Sequence, residues 1–387
     1  MFYSLPYILL IVFFLIISTI QLGIPIEEKS RKYINFFVVL AYVFFWGFRG
    51  FIGSDWTNYY VFFSDLQTNS AHAFQGKGFE TGFVLYSIII KMLFANYEIF
   101  ILINTITNVC LLHIFFKRHL PTKYYALGFV VFMVFYGSTL EFNLLRNFKG
   151  MFIFLLALPY IENRKPLKYF TLIFIAFLFH WSSIFYVPMY FFLHKKIPLK
   201  IFLITFTVGC IIYLFKIQYI TPIIKLLALV LPSEISIKIL DYIGNAYYAR
   251  SYGFTFGFFE RTLTTFILLF YYNKITSNRS NILFLNAFFI FISLYLFCSE
   301  ITIILERVAS NFAFSYWILI PIIIQQTERN VKPLLYIFFS FLFISKVFIM
   351  MNSIIYDYDS FLFGEFKPYK QRLEIFEKTR KRTEKLK

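Results

Sequence analysis

Charge is what this chain has least of. Asp, Glu, Lys and Arg make up 15% of its 387 residues, against about a quarter in an ordinary soluble domain, and that deficit excludes a water-soluble globule. Cysteine is scarce too. Cys110, Cys210 and Cys298 stand apart within apolar runs, so neither a disulfide framework nor a paired-cysteine metal site is implied. No Walker loop, GxGxxG turn, GxSxG elbow or HExxH helix occurs, which leaves nucleotide-driven transport, flavin or nicotinamide chemistry and zinc hydrolysis without support. The histidines at 72, 113, 119, 180 and 194 lack ligand spacing, and no metal or other cofactor is expected. The one acidic D-x-D pair, Asp357 and Asp359, reads as a solvated turn before it reads as a cation site.

What the chain has in quantity is apolar surface: 59% of its residues are hydrophobic. At ~20 apolar residues per crossing this is material for about ten to twelve membrane helices and little else. The expectation is therefore an all-α polytopic integral membrane protein over residues 1–366, with outer loops at 49–80 and 217–253, followed by a basic tail at 367–387. Residues 3–20 lack a basic n-region and a small-residue cleavage site and read as a retained first span. The 37 Lys and Arg outnumber the 20 Asp and Glu, an excess that belongs in cytoplasmic loops facing anionic lipid rather than on nucleic acid.

Placing the basic connectors inside puts the N-terminus outside and strains the scheme twice. The segment 81–116 holds two apolar runs yet must cross once, so one run is expected to be re-entrant. The segment 167–194 has basic flanks at both ends and is too short for two crossings, so a hairpin broken at His180 to Ser183 is expected, with its irregular backbone shielded from lipid.

Ionisable residues at membrane depth each demand a reason. Arg49, Asp55 and Tyr59 fall in FRGFIGSDWTNYYVFF, where an amphipathic helix should begin at Ser54 or Asp55. Glu80 stands where the next helix should start, a position at which the macrodipole favours a carboxylate. Asn143, Arg146 and Asn147 share a face if EFNLLRNFKG is one helix, and Arg146 offers the planar fork suited to a diphosphate, which Lys149 cannot imitate. His180 lies at the expected chain break. Glu260/Arg261 and Glu306/Arg307 are neighbours that point different ways, so each charge needs another partner or a ligand.

In this order the residues form a pattern: Arg49, Gly53, Asp55 and Tyr59; Phe79, Glu80 and Gly82; Asn143, Leu145 and Arg146; His180, Ser182 and Ser183; then Arg307. The set resembles the EpsG-like branch of the Wzy polysaccharide polymerases, departing from it at Trp56, at Lys149 and Gly150, and in the basic tail. The resemblance implies a membrane-embedded glycosyltransferase of the C type in the bacterial inner membrane, active at its outer face without metal or nucleotide. It would move an undecaprenyl-diphosphate-linked glycan of O-antigen, capsule or exopolysaccharide onto the next lipid-linked repeat unit. On that reading Arg49, Arg146 and Arg307 hold diphosphate, His180 or Asp55 is the base, and Glu80, Asn143 and Tyr59 orient sugar or arginine. Pro368/Tyr369 resembles a closing motif that would bring Tyr369 to the glycan. Implied partners are the lipid-linked donor and acceptor, membrane lipid, a chain-length regulator and a flippase, and no nucleic acid. An O-antigen ligase of the same fold, a proton-coupled transporter relaying through Glu260, Glu306, Lys91 and Lys346, and a non-catalytic scaffold are the rival readings.

The tail carries nine Lys and Arg against three acids, which argues for the cytoplasm, yet the span at 333–350 should deliver it outside. The favoured resolution is an exported helix whose Phe366, Tyr369, Leu373 and Phe376 dock on the membrane while its basic residues meet lipid phosphates.

Overall fold

The computed structural model describes residues 2–68, 78–229, 253–301, 307–363 and 366–385. All regular structure among them is helical. The helices of nine residues or more are Leu5–Gly23 (α1), Glu28–Gly47 (α2), Trp56–Asp65 (α3), Thr81–Leu93 (α4), Tyr97–His119 (α5), Thr122–Phe142 (α6), Leu145–Glu162 (α7), Pro166–Phe179 (α8), Leu199–Leu214 (α9), Ile220–Ala228 (α10), Phe256–Phe270 (α11), Arg279–Phe297 (α12), Phe314–Gln326 (α13), Lys332–Met351 (α14) and Tyr369–Lys385 (α15). Among the described residues, α1, α5, α6, α12 and α14 are long and apolar enough to cross a membrane, whereas α4, α8 and α9 are apolar but shorter. This is a membrane protein. Five of the expected ten to twelve crossings are accounted for by length and composition. Glu306, His72 and most of the loop 217–253 lie outside the described residues.

The chain divides into two compact units, Met1–Val187 with Glu328–Lys387, and Pro188–Thr327. The tail thus belongs with the first unit. In the second, Tyr213 and Tyr295 join α9 to α12 through their hydroxyls at 2.9 Å. The Glu300 carboxylate accepts from the backbone N–H groups of Tyr219, Ile220 and Thr221 at 2.6–3.0 Å, closing the first turn of α10. Burial alone would raise that carboxyl, but these three donors hold it below the ordinary range.

Three irregularities shape the first unit. The run 81–116 is two helices, and α4, with 13 residues, reaches only ~20 Å against a hydrocarbon core of ~30 Å. The helix α6 opens into a wide turn at Met133–Gly137, where Phe135 leaves helical geometry and Tyr136 takes φ +78°, a strained value for a bulky residue. The third is the break expected in 167–194: α8 ends at Phe179, His180 is extended, and Trp181–Tyr186 continues as a tight 3-10 turn.

Asn143, Arg146 and Asn147 do not share one helical face. A second break falls after Phe142, with Leu144 at ψ 50°, and α7 starts at Leu145. Asn143 is left in the gap, where its Oδ1 accepts from the backbone N–H of Ser54 at 2.9 Å and of Asp55 at 3.3 Å. Gly53, at φ +81°, makes room for that contact, since a Cβ there would collide with Asn143 Oδ1. The amphipathic helix predicted after this turn is α3. Its ten residues would be marginal alone, but Trp56, Tyr59, Phe62 and Phe63 are buried in an aromatic core with Phe51, Phe83, Tyr97 and Phe100. Stacked pairs such as Phe63–Phe100 at 4.6 Å and Phe62–Phe79 at 4.1 Å each contribute about 0.5–1.5 kcal/mol beyond area burial.

The tail is the helix α15, and the spacing of Tyr369, Leu373 and Phe376 gives it the apolar face foreseen. That face meets protein, not lipid. It packs on the α3 core, with Tyr369 stacked on Tyr60 at 4.2 Å and Phe376 edge-on to Trp56 at 6.0 Å. Among its basic residues Arg372 is 2% exposed and meets backbone rather than lipid phosphate. Its donors reach the carbonyls of Phe51 (2.8 Å), Ile354 (3.4 Å), Ile355 (3.2 Å) and Asp357 (3.0 Å), and the Asp357 carboxylate at 3.4 Å. The segment after α14 is tied in turn to the Arg49 loop, since Gly50 N–H donates to Asp359 O and Gly53 N–H to Ile355 O, both at 2.9 Å.

Candidate functional site

Glu80 organises the site. It precedes α4 without capping it, because both carboxylate oxygens are engaged elsewhere. Oε2 meets Arg146 Nη1 at 2.5 Å, while Oε1 meets His180 Nδ1 at 2.8 Å and accepts from Trp181 N–H at 3.3 Å. Three sequence segments about 66 and 34 residues apart thus converge on one carboxylate. Burial would raise the Glu80 carboxyl, but the His180 hydrogen bond and the Arg146 charge outweigh it and hold the group below the usual carboxylate range. An ionised Glu80 fixes the imidazole tautomer. Nδ1 carries the proton, which leaves Nε2 as the basic nitrogen.

Two glycines make this convergence possible. A Cβ on Gly82 of α4 would stand 2.8 Å from the Leu178 carbonyl, and one on Gly150 of α7 would stand 2.6 Å from Ser183 Oγ and 3.2 Å from the Ala176 carbonyl. Both neighbours therefore close on the C-terminal turn of α8, and His180 is pressed toward Glu80. Gly150, a departure from the family pattern in the sequence, has its physical reason here.

Arg146 is only partly covered, with 24% of its side chain exposed. Its guanidinium lies over the Phe79 ring at 4.6 Å, Nη1 also reaches the Gly78 carbonyl at 3.3 Å, and Nε is buried without a hydrogen-bond partner. Tyr59, beside it, has its phenol pushed up by burial and remains a proton donor. Asp55 accepts from Ser54 Oγ at 2.9 Å. Asp55, Thr57, Asn58, Tyr59, Phe79 and Arg146 all line one open groove of ≈ 990 Å³, counted with the space open to solvent at its mouth.

Arg49 is elsewhere. It is 5% exposed and donates to the carbonyls of Trp46 and Glu141, the latter at 2.5 Å, and to Thr105 Oγ1 at 3.2 Å, with Glu141 Oε1 at 3.6 Å. Glu141, fully buried, also accepts from Thr105 Oγ1 at 2.6 Å, Asn108 Nδ2 at 3.0 Å and the Tyr42 hydroxyl at 3.1 Å. Lys149 completes this interior network through Asn104 Oδ1 at 2.5 Å and through Asn108 Oδ1. Sequence reasoning passed over Glu141 and used Lys149 as a contrast to Arg146 and as a departure from the family pattern. The signal was available, since a carboxylate ending the long apolar run from 123 demands a partner as much as any arginine does.

Of the remaining expected site residues, Asn143 holds the Gly53–Asp55 turn, and Tyr369 lies in the α3 core away from the groove lining. Arg307 belongs to the second unit, where its side chain is exposed and its carbonyl accepts from Asn311 Nδ2 at 2.8 Å. Among the suggested relay residues, Lys91 donates to the Phe63 and Ser64 carbonyls at the end of α3, and Lys346 lies 4.5 Å over the Phe135 ring. Asp357 pairs with Lys367 Nζ at 3.1 Å and with Arg372. Among the described residues no group of three or more His, Cys, Asp or Glu could hold a metal ion.

The EpsG family model matches residues 32–370. No curated protein and no solved structure matches the chain. The chain belongs to the EpsG family, a family of Wzy-like polysaccharide polymerases and exopolysaccharide biosynthesis proteins.

Proposed function

We propose that this member of the EpsG family polymerises lipid-linked repeat units, moving a glycan from an undecaprenyl diphosphate onto a hydroxyl of the next unit at the outer face of the inner membrane. The observation that carries the reading is the single carboxylate of Glu80 holding both Arg146 and His180, with Arg146 itself lining an open groove. His180 Nε2 takes the proton of the acceptor hydroxyl as its oxygen bonds to the anomeric carbon. The bond from that carbon to the diphosphate oxygen breaks, and Arg146 meets the charge that develops there through donors still open on its exposed edge. Glu80 orients the imidazole and stabilises it once it is protonated, while Asp55 and Tyr59 face the sugar. Arg49 acts from behind the site, by fixing the end of α6 on which Asn143 and the Asp55 turn depend.

Two variants test this. His180→Ala and Arg146→Lys should insert normally yet cut chain extension by about 100-fold, with lipid-linked single repeat units accumulating in cells. Normal polymer from either variant rejects the assignment. Alkaline phosphatase fused after Lys385 should be active if α15 and the groove face outward, because α15 packs on α3.

A further inference from the structure

The groove carries more charge information than the transfer step uses. Along its α3 wall, Asp55, Asn58, Phe62 and Asp65 recur at intervals of three and four, which places them on one helical face, and all four line the groove together with Arg146. Phe62 is buried and gives that wall an apolar floor against Phe79, while Asn58 and Asp65 are exposed. From Asp55 to Asp65 the helix rises about 15 Å, too long for a single sugar and suited to an oligosaccharide. That separation also exceeds the Debye length of ~8 Å at physiological salt, so each carboxylate acts on the sugar nearest to it. Arg146, proposed to hold the diphosphate, is the one cation among the described lining residues.

We propose that this wall of α3 is the track on which the glycan lies, and that Asp55 and Asp65 select neutral or amino-bearing sugars against uronic acids. The carboxylates accept hydrogen bonds from sugar hydroxyls, charge-assisted and stronger than neutral ones. An ammonium sugar gains an ion pair with them, and a glycuronate meets like charge. The proposal rests on the polymerase reading for the identity of the ligand, but it is tested by binding alone, so its failure and that of chain extension are separately visible.

The test uses the full chain in nanodiscs and three trisaccharide probes of similar length: chitotriose with its amines charged, its fully N-acetylated form, and trigalacturonate. Dissociation constants are read by titration calorimetry at low and moderate salt. The expected order of affinity is cationic, then neutral, then acidic, with steps of roughly two- to fivefold, the size of one solvent-exposed charge contact. Asp65→Lys, at an exposed position, should reverse the order of the two charged probes, and Asp65→Asn should narrow the gap between them. Acidic probe binding as tight as the cationic one, an order indifferent to Asp65→Lys, or no measurable binding of any probe overturns the proposal.

Discussion

Arg49 and Arg146 each meet a glutamate in the first unit, Glu141 at 3.6 Å and Glu80 at 2.5 Å, yet their surroundings differ. Around Arg49 the donors find protein acceptors and Glu141 is met by Thr105, Asn108 and Tyr42. Around Arg146 one edge is exposed, Nε is unmatched, and the carboxylate is shared with an imidazole. The first arrangement holds helices together, and the second leaves one edge of an arginine open to the groove. Residue type cannot separate them. What separates them is whether protein alone completes the hydrogen bonds.

The sharpest test of this contrast is Glu141→Ala, which strands Arg49 in the interior and should lower stability by about 3–5 kcal/mol, read as a large drop in melting temperature in detergent. A variant that melts like the wild type would show that the sealed network is not what joins α2, α5 and α6. On the open side the expectation is inverted: Arg146→Lys should stay within ~1 kcal/mol in stability while losing activity. Next in size is Gly82→Ala. Its Cβ meets the fixed Leu178 carbonyl, so it should cost about 1–3 kcal/mol and also part His180 from Glu80, whereas Gly23→Ala, with nothing within 4 Å, should be silent. Equal effects at the two glycines would dismiss the close approach of α4 to α8.

The smallest effect is in pH. Because the folded protein holds the Glu80 carboxyl below its usual range, the contribution is fully present above the unfolded value of about 4.3 and fades as pH falls through the lower folded value. Melting temperature followed downward from about pH 6 should show this fall, and Glu80→Gln should remove its share of the slope. An unchanged slope would mean that the Glu80 bridge contributes nothing to the fold.

Much of the fold was legible because apolar runs and their interruptions are local. The break at His180 followed from length and flanking charge, and the faces of α3 and α15 followed from spacing. What those faces meet is not local. Tyr369, Leu373 and Phe376 fit a membrane surface as well as they fit Trp56 and Tyr60, since both are apolar. Asn143 with Arg146 failed for a different reason: helical spacing assumes a continuous helix, and the gap at Leu144 is sustained by partners about 90 residues away in the Ser54–Asp55 turn. The pairing of Glu80 with His180, 100 residues apart, was likewise beyond any periodicity, although both residues had been singled out as charges in need of a reason.

Arg372 closes over Phe51 from 321 positions further along the chain. At a synthesis rate of about 5–20 residues per second, the turn that presents Asp55 waits tens of seconds on the ribosome for the guanidinium that ties it to the segment following α14. Until then its carbonyls have only water or neighbouring chain to bond. The turn that presents Asp55 is therefore among the last parts of the first unit to be finished, although its residues are among the first to be made. A nascent chain stalled before Arg372 would carry every proposed catalytic group and still lack the clasp between Phe51 and the segment following α14.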